Sequence, residues 1–223
     1  MKLTKKHIAG ILIIAFSIAT INLVSCQNLF SNRVRVDDTA IVERPGIITL
    51  EGRQLTLLGP EIEVGHKAPD FKLLKSYERV EESFNSQEVE LADSAKKVRL
   101  ISVVPSLDTP VCDFSAMLFE EQAAAFEGVT FYVVSMDLPF AQNRYCGAQE
   151  IKTLITLSDH RDASFGLSYG LLIKELRLLS RAILIIDEED TVRYVEYVKE
   201  ISQPPDFDAA LTGLREIYGE VSN

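Results

Sequence analysis

The stretch Val103-Val104-Pro105-Ser106-Leu107-Asp108-Thr109-Pro110-Val111-Cys112-Asp113 decides how the rest of the chain is read. Residues 98–104, which run into its start, are mostly apolar and predict a buried strand. Residues 113–127 after it predict a helix, with Met117, Leu118, Phe119, Ala123 and Phe126 supplying a buried face and Glu120, Glu121 and Glu127 opposite or alongside. The turn between strand and helix carries a cysteine. The first N–H groups of a helix have no internal partner, and the helix dipole puts partial positive charge there. Both favour thiolate, the nucleophilic form, over thiol. Thr109 suits an N-cap and Pro110 the first helical position. The proline also biases Thr109 toward the extended backbone that a cap requires. Taken alone, however, a cysteine at such a junction is more often a space-filling buried side chain, because free cysteine is among the most buried residue types.

Working outward, 223 residues suffice for one sizeable domain with appendages. A hydrophobic content of 47% and a charged content of 25% are those of a globular chain. The formal net charge of −10, with no strong basic cluster, argues against a nucleic-acid partner. His7, His66 and His160 are scattered without metal-ligand spacing, and none of Cys26, Cys112 and Cys146 belongs to a C-x-x-C pair. Neither a zinc site nor any other cofactor is expected.

Residues 1–25 read as an address rather than as fold. Lys2, Lys5 and Lys6 precede an almost wholly apolar run over 8–24, the layout of a secretory signal. The run ends in Leu23-Val24-Ser25-Cys26, which resembles a bacterial lipoprotein signal, with Cys26 as the lipidated first mature residue. A retained membrane anchor and a plain signal with a chance cysteine are the alternatives. The lipoprotein reading implies an exported envelope protein held at a membrane by acyl chains. It leaves two thiols, Cys112 and Cys146, in a compartment where thiols tend to be oxidised. Residues 26–45 read as a tether, and 46–223 as the folded domain.

Within that domain the sequence predicts a hairpin over 47–50 and 54–58, a short strand through Leu74, and a charge-rich, helical or irregular piece over 83–91. A buried strand over 129–136 follows the first helix, then a breaker at Asp137-Leu138-Pro139 and a segment over 140–150 holding Cys146. A short strand over 154–157, a short helix or turn over 164–169, a buried strand over 182–187, a strand over 192–198 paired to it as a hairpin, and a last helix over 207–218 complete the order. Alternation first and a hairpin last imply an α/β thioredoxin-like fold: a mixed central sheet flanked by helices, with an N-terminal β-hairpin. Open α/β sheets place their sites outside the carboxyl ends of strands, which is where Cys112 falls.

Two segments carry a specific resemblance. Pro105-x-x-x-Thr109-x-x-Cys112 is similar to the active-site motif of peroxiredoxins. The run from Ser135 through Asp137-Leu138-Pro139-Phe140-Ala141-Gln142 to Cys146-Gly147 resembles the resolving-cysteine segment of bacterial thiol peroxidases, the atypical two-cysteine peroxiredoxins. The 34-position interval between Cys112 and Cys146 is similar to that family's spacing, and Arg181 matches its active-site arginine. Pro110 departs from the family, which usually has glycine there, and residues 173–180 are more charged and leucine-rich than in its members. The resemblance implies a thiol-dependent peroxidase that acts on hydrogen peroxide and organic hydroperoxides. It implies that Cys112 is the peroxidatic nucleophile, Cys146 the resolving thiol of an intramolecular Cys112–Cys146 disulfide, and Thr109, Arg181 and Pro105 the groups around the sulfur. It further implies a thioredoxin-like dithiol reductant and a homodimer.

Other readings remain open on the residues themselves. Two thiols in an exported domain are by default a structural disulfide, worth on the order of 3–4 kcal/mol for a loop of this length. A thioredoxin-like envelope oxidoreductase would ordinarily carry C-x-x-C, and Cys112-Asp113-Phe114-Ser115 does not. A non-catalytic envelope binding protein is the third possibility.

Overall fold

A computed structural model describes residues 41–80 and 83–221 of the chain. The expected signal segment, Cys26 and the tether up to residue 40 lie outside the described residues. No helix among the described residues is long and apolar enough to cross a membrane.

The centre is a seven-stranded mixed sheet ordered β10-β9-β5-β6-β7-β3-β4. Its middle strands, β5 (Arg99–Val103), β6 (Thr130–Ser135) and β7 (Ile155–Ser158), run parallel to one another. On one flank β9 (Ala182–Ile186) pairs antiparallel with β5, and β10 (Val192–Tyr197) pairs with β9. On the other, β3 (Lys72–Val80) and β4 (Ser83–Glu90) form an antiparallel ribbon. A separate small sheet joins the hairpin of β1 (Glu43–Leu50) and β2 (Arg53–Leu58) to the two-residue β8 (Leu172–Ile173).

Strands β5 and β9 are buried throughout because both faces of the sheet are covered. Side chains alternate between two cores. Ile101, Val103, Tyr132, Val134, Leu184 and Ile186 face one with Phe71, Phe165 and Tyr169. Leu100, Phe131, Val133, Ile183 and Ile185 face the other, beneath Phe119 and Ala123 of α1 (Pro110–Ala123) and Ala210, Leu214 and Ile217 of α4 (Phe207–Val221). The remaining helices are α2 (Pro139–Ala148) and the short α3 (Ser164–Ser168).

Four sequence expectations need correction. Residues 83–90 form the edge strand β4 rather than a helical or irregular piece, paired with β3 from Lys72↔Glu90 to Val80↔Ser83. An edge strand has one sheet neighbour and tolerates charge, so its alternation is weak. Helix α1 begins at Pro110, as the Thr109-Pro110 pair indicates and three residues before the periodic run, but ends at Ala123 instead of reaching residue 127. Strand β1 starts at Glu43, inside the stretch assigned to the tether. Pro45 and Gly46 are accommodated by a register shift between Pro45 and Ile48. Arg44 holds this end down, donating from Nε to the Gly59 carbonyl (3.1 Å) and from Nη2 to the Gly170 carbonyl (2.6 Å). Finally, β8 was not expected at all; two residues are too few to leave a periodic signal. Gly59 and Gly170 hold the small sheet tightly. Both have positive φ, and an added Cβ would fall 1.9 Å from the Leu167 carbonyl oxygen or 2.0 Å from that of Pro60.

Asp159 organises the start of α3. Its buried carboxylate accepts the N–H groups of Phe165 (3.2 Å) and Gly166 (2.7 Å). Burial outweighs these bonds and pushes its carboxyl from 3.8 up to about 6. The folded state therefore holds this proton more tightly than the unfolded chain. The contribution to stability is absent above the folded value, grows as pH falls through it, and is complete below the unfolded value. Urea melts of the wild type and of Asp159→Asn at pH 7 and pH 4 should differ in pH dependence by about 2 kcal/mol, with the wild type gaining stability toward acid relative to the variant.

Candidate active site

Cys112 is the third residue of α1 and is fully buried. Strand β5 leads into it: Val104 continues the ladder by donating to the Val134 carbonyl (3.0 Å), and Pro105 is buried directly after. Thr109 occupies the N-cap position with extended backbone (φ −108°, ψ 143°), as the proline after it requires. Its side chain does not cap the helix. The hydroxyl lies 2.8 Å from Cys112 Sγ and 3.3 Å from the Ser106 carbonyl oxygen. The expected cap is thus half realised, with the backbone in place and the hydroxyl turned to the sulfur.

Arg181 arrives from a distant part of the sequence. The β5–β9 register pairs Val103 with Ala182, so Arg181 stands beyond the last strand pair, level with the exit of β5. The preceding loop aims it. Ser180 donates to the Leu171 carbonyl (2.7 Å), Leu172 bridges to Leu179, and Arg177 takes a left-handed φ of 54° in the turn between them. Arg181 is 3% exposed. Its Nε donates to the Ile201 carbonyl (3.1 Å) and its Nη1 to Cys112 Sγ (3.4 Å). The structure thus brings Cys112, Thr109 and Arg181 together. A hydroxyl and a guanidinium aimed at one sulfur stabilise negative charge on it.

Cys146 lies apart from this group. It is half-buried on α2, with Sγ 3.6 Å from Thr156 Oγ1. Both cysteines are free thiols here. Burial raises the Cys146 thiol above its ordinary value; the Thr156 contact opposes this and the Glu120 carboxylate adds to it. Helix α2 ends with Glu150 at a left-handed φ of 54° and Ile151 donating back to the Cys146 carbonyl (3.0 Å). This is the hydrogen bond of a Schellman-type end, built without the usual glycine.

Two further carboxylates matter that sequence reasoning did not single out. Glu120 of α1 accepts the successive N–H groups of Lys152, Thr153 and Leu154 at 2.8–3.1 Å, which ties the segment after α2 to the cysteine helix. These bonds hold its carboxyl low although burial opposes them. Asp137 accepts the hydroxyl of Ser106 and the N–H of Leu107, both at 2.8 Å, from the loop before Thr109. Asp137 lies inside the segment that carried the resemblance, but its partners are set by tertiary packing. Asp108, next to Thr109, is exposed.

The chain is similar to known proteins over most of the described residues. The redoxin family model matches residues 63–211. Among curated proteins, the thiol peroxidase of Halalkalibacterium halodurans is 50% identical over 164 residues, covering 74% of this chain and 94% of its own length. That of Bacillus subtilis is 45% identical over 170 residues, covering 76% and 97%. Among solved structures, a peroxiredoxin-like protein from Aquifex aeolicus superposes with a TM-score of 0.68 at 37% identity, covering 79% of this chain and 98% of that one. The thioredoxin-like architecture expected from the element order is the observed one. The chain belongs to the redoxin family and, within it, to the thiol peroxidases.

Proposed function

We infer that this thiol peroxidase reduces hydrogen peroxide and organic hydroperoxides at Cys112, with Cys146 as the resolving thiol. The observation that carries the reading is the convergence of Thr109 Oγ1 and Arg181 Nη1 on the buried Cys112 sulfur. The thiolate attacks one peroxide oxygen; an S–O bond forms, the O–O bond breaks, and the departing oxygen leaves as water or alcohol once protonated. Cys112 becomes a sulfenic acid. Thr109 orients the peroxide, and Arg181 offsets charge building on the departing oxygen. Pro105 shapes the turn that shields the sulfur.

Cys146 then attacks the sulfenic sulfur, a disulfide forms and water leaves. The geometry of an S–S bond, about 2.05 Å long, requires Cys146 to leave its place beside Thr156. A thioredoxin-like dithiol exchanges with the disulfide and restores both thiols. The exposed apolar side chains Phe114 and Met117 on α1 support a homodimer in which this helix is covered. The sequence ending in Cys26 supports an exported, lipid-anchored protein at the bacterial cell envelope.

Three measurements test the reading. Cys112→Ser should abolish peroxide consumption with a dithiol reductant. Cys146→Ser should still consume one equivalent, leave a trappable sulfenic acid and fail to turn over with that reductant; undiminished turnover in Cys112→Ser sinks the mechanism. Arg181→Lys keeps the charge but cannot reach Ile201 and the sulfur with one planar group. Its second-order rate with peroxide should fall roughly 10–100-fold, the scale of losing one preorganised donor. In cells, a labelled fatty-acid precursor should enter the wild-type chain and not Cys26→Ala; equal labelling of both excludes Cys26 as the anchor.

A further inference from the structure

Asp137 sits where the two cysteine segments meet. Its carboxylate accepts three hydrogen bonds. Ser106 Oγ and the Leu107 N–H, both at 2.8 Å, come from the loop between Pro105 and Thr109; Ser135 Oγ, at 2.9 Å, comes from the end of β6. The Ser135 hydroxyl in turn accepts Gln142 Nε2 at 3.0 Å. Gln142 is fully buried on α2 and also donates to the Leu157 carbonyl (2.9 Å). On the loop side, the Ser106 carbonyl lies 3.3 Å from the Thr109 hydroxyl that reaches the sulfur. A continuous polar path therefore runs from Cys112 through Thr109, Ser106, Asp137, Ser135 and Gln142 into the helix that carries Cys146.

The two ends of α2 are built differently. Its first turn is tied through Gln142 to β6 and β7. Its last turn closes on Glu150 in a left-handed conformation, which is strained for a residue with a Cβ. Cys146 lies four residues past the tied end and four before the strained one. Release of the C-terminal half would free Cys146 and leave Gln142 anchored.

We propose that Asp137 is a positioning residue that keeps the turn around Cys112 closed for peroxide attack and fixes the first turn of α2 as the hinge from which Cys146 swings. This rests on the assignment of Cys112 and Cys146 as peroxidatic and resolving thiols. Asp137 touches no reacting atom; it acts through Ser106, Leu107 and Ser135. The carboxylate suits the place because all three partners are donors. An amide would point an NH₂ group at one of them and leave it unpaired.

The test uses the reduced full-length protein in single turnovers with hydrogen peroxide. Attack is followed by competition with a reference peroxidase, and disulfide formation by rapid quenching and thiol alkylation. Asp137→Asn should slow attack roughly tenfold, the scale of losing one hydrogen bond to a charged group, and slow disulfide formation as well. Ser106→Ala removes one loop contact and none on α2, so it should slow attack about threefold and leave disulfide formation within twofold of wild type. A role limited to stability would lower the melting temperature and leave both rates unchanged well below it. Attack within twofold of wild type in Asp137→Asn overturns the proposal. Should that variant fail to fold, unchanged attack in Ser106→Ala overturns it instead. If wild-type Cys112 is oxidised but no Cys112–Cys146 disulfide forms, the resolving assignment fails and takes the hinge with it. If the wild type forms the disulfide and both variants match it, the hinge fails alone.

Discussion

The Cys112 sulfur and the Arg181 guanidinium depend on each other. Each is buried, and each would be costly to bury alone in charged form. No carboxylate among the described side chains pairs with Arg181; its contacts are the Ile201 carbonyl and the sulfur. Negative charge developing on the sulfur would meet the guanidinium directly. The Thr109 hydroxyl adds a second donor at 2.8 Å. Two preorganised donors thus converge on one buried sulfur.

The sheet order makes this pairing possible. Parallel neighbours β5 and β6 require a crossover, and α1 provides it. The crossover helix starts just past the carboxyl end of β5 and holds Cys112 in its first turn. Antiparallel pairing of β9 with β5 then puts the start of one strand beside the end of the other. An arginine one residue before β9 arrives at the cysteine although 69 positions separate them in the chain. A shift of register by one residue would turn the strand's side chains to the opposite face and carry Arg181 away from the sulfur.

Much of this was legible in the sequence, for identifiable reasons. Apolar runs marked β5, β6 and β9, because strands buried on both faces need little polar residue. Thr109-Pro110 marked the helix start, since both residues constrain the backbone locally. Arg181 was found through resemblance; nothing in its neighbourhood announces a partner 69 positions away. Strand β4 was missed because an exposed edge carries polar residues that also suit a helix or loop. The turning of the Thr109 hydroxyl toward sulfur, the capture of three N–H groups by Glu120 and the contacts of Asp137 were not legible. Each depends on which atoms packing brings within 3 Å, and pattern alone does not specify that.

The two thiols sit in different surroundings. Cys112 has a cation, a hydroxyl and a helix start directed at it. Cys146 has apolar burial and the Glu120 carboxylate, both of which raise its thiol and keep it protonated, with only the Thr156 contact opposing them. Loosening of α2 would let solvent reach Cys146 and weaken the influence of Glu120 with distance. Glu120 also accepts the N–H groups of residues 152–154, which ties the segment beyond Cys146 to α1. The helix that carries Cys146 is thus also the element whose packing shields its thiol.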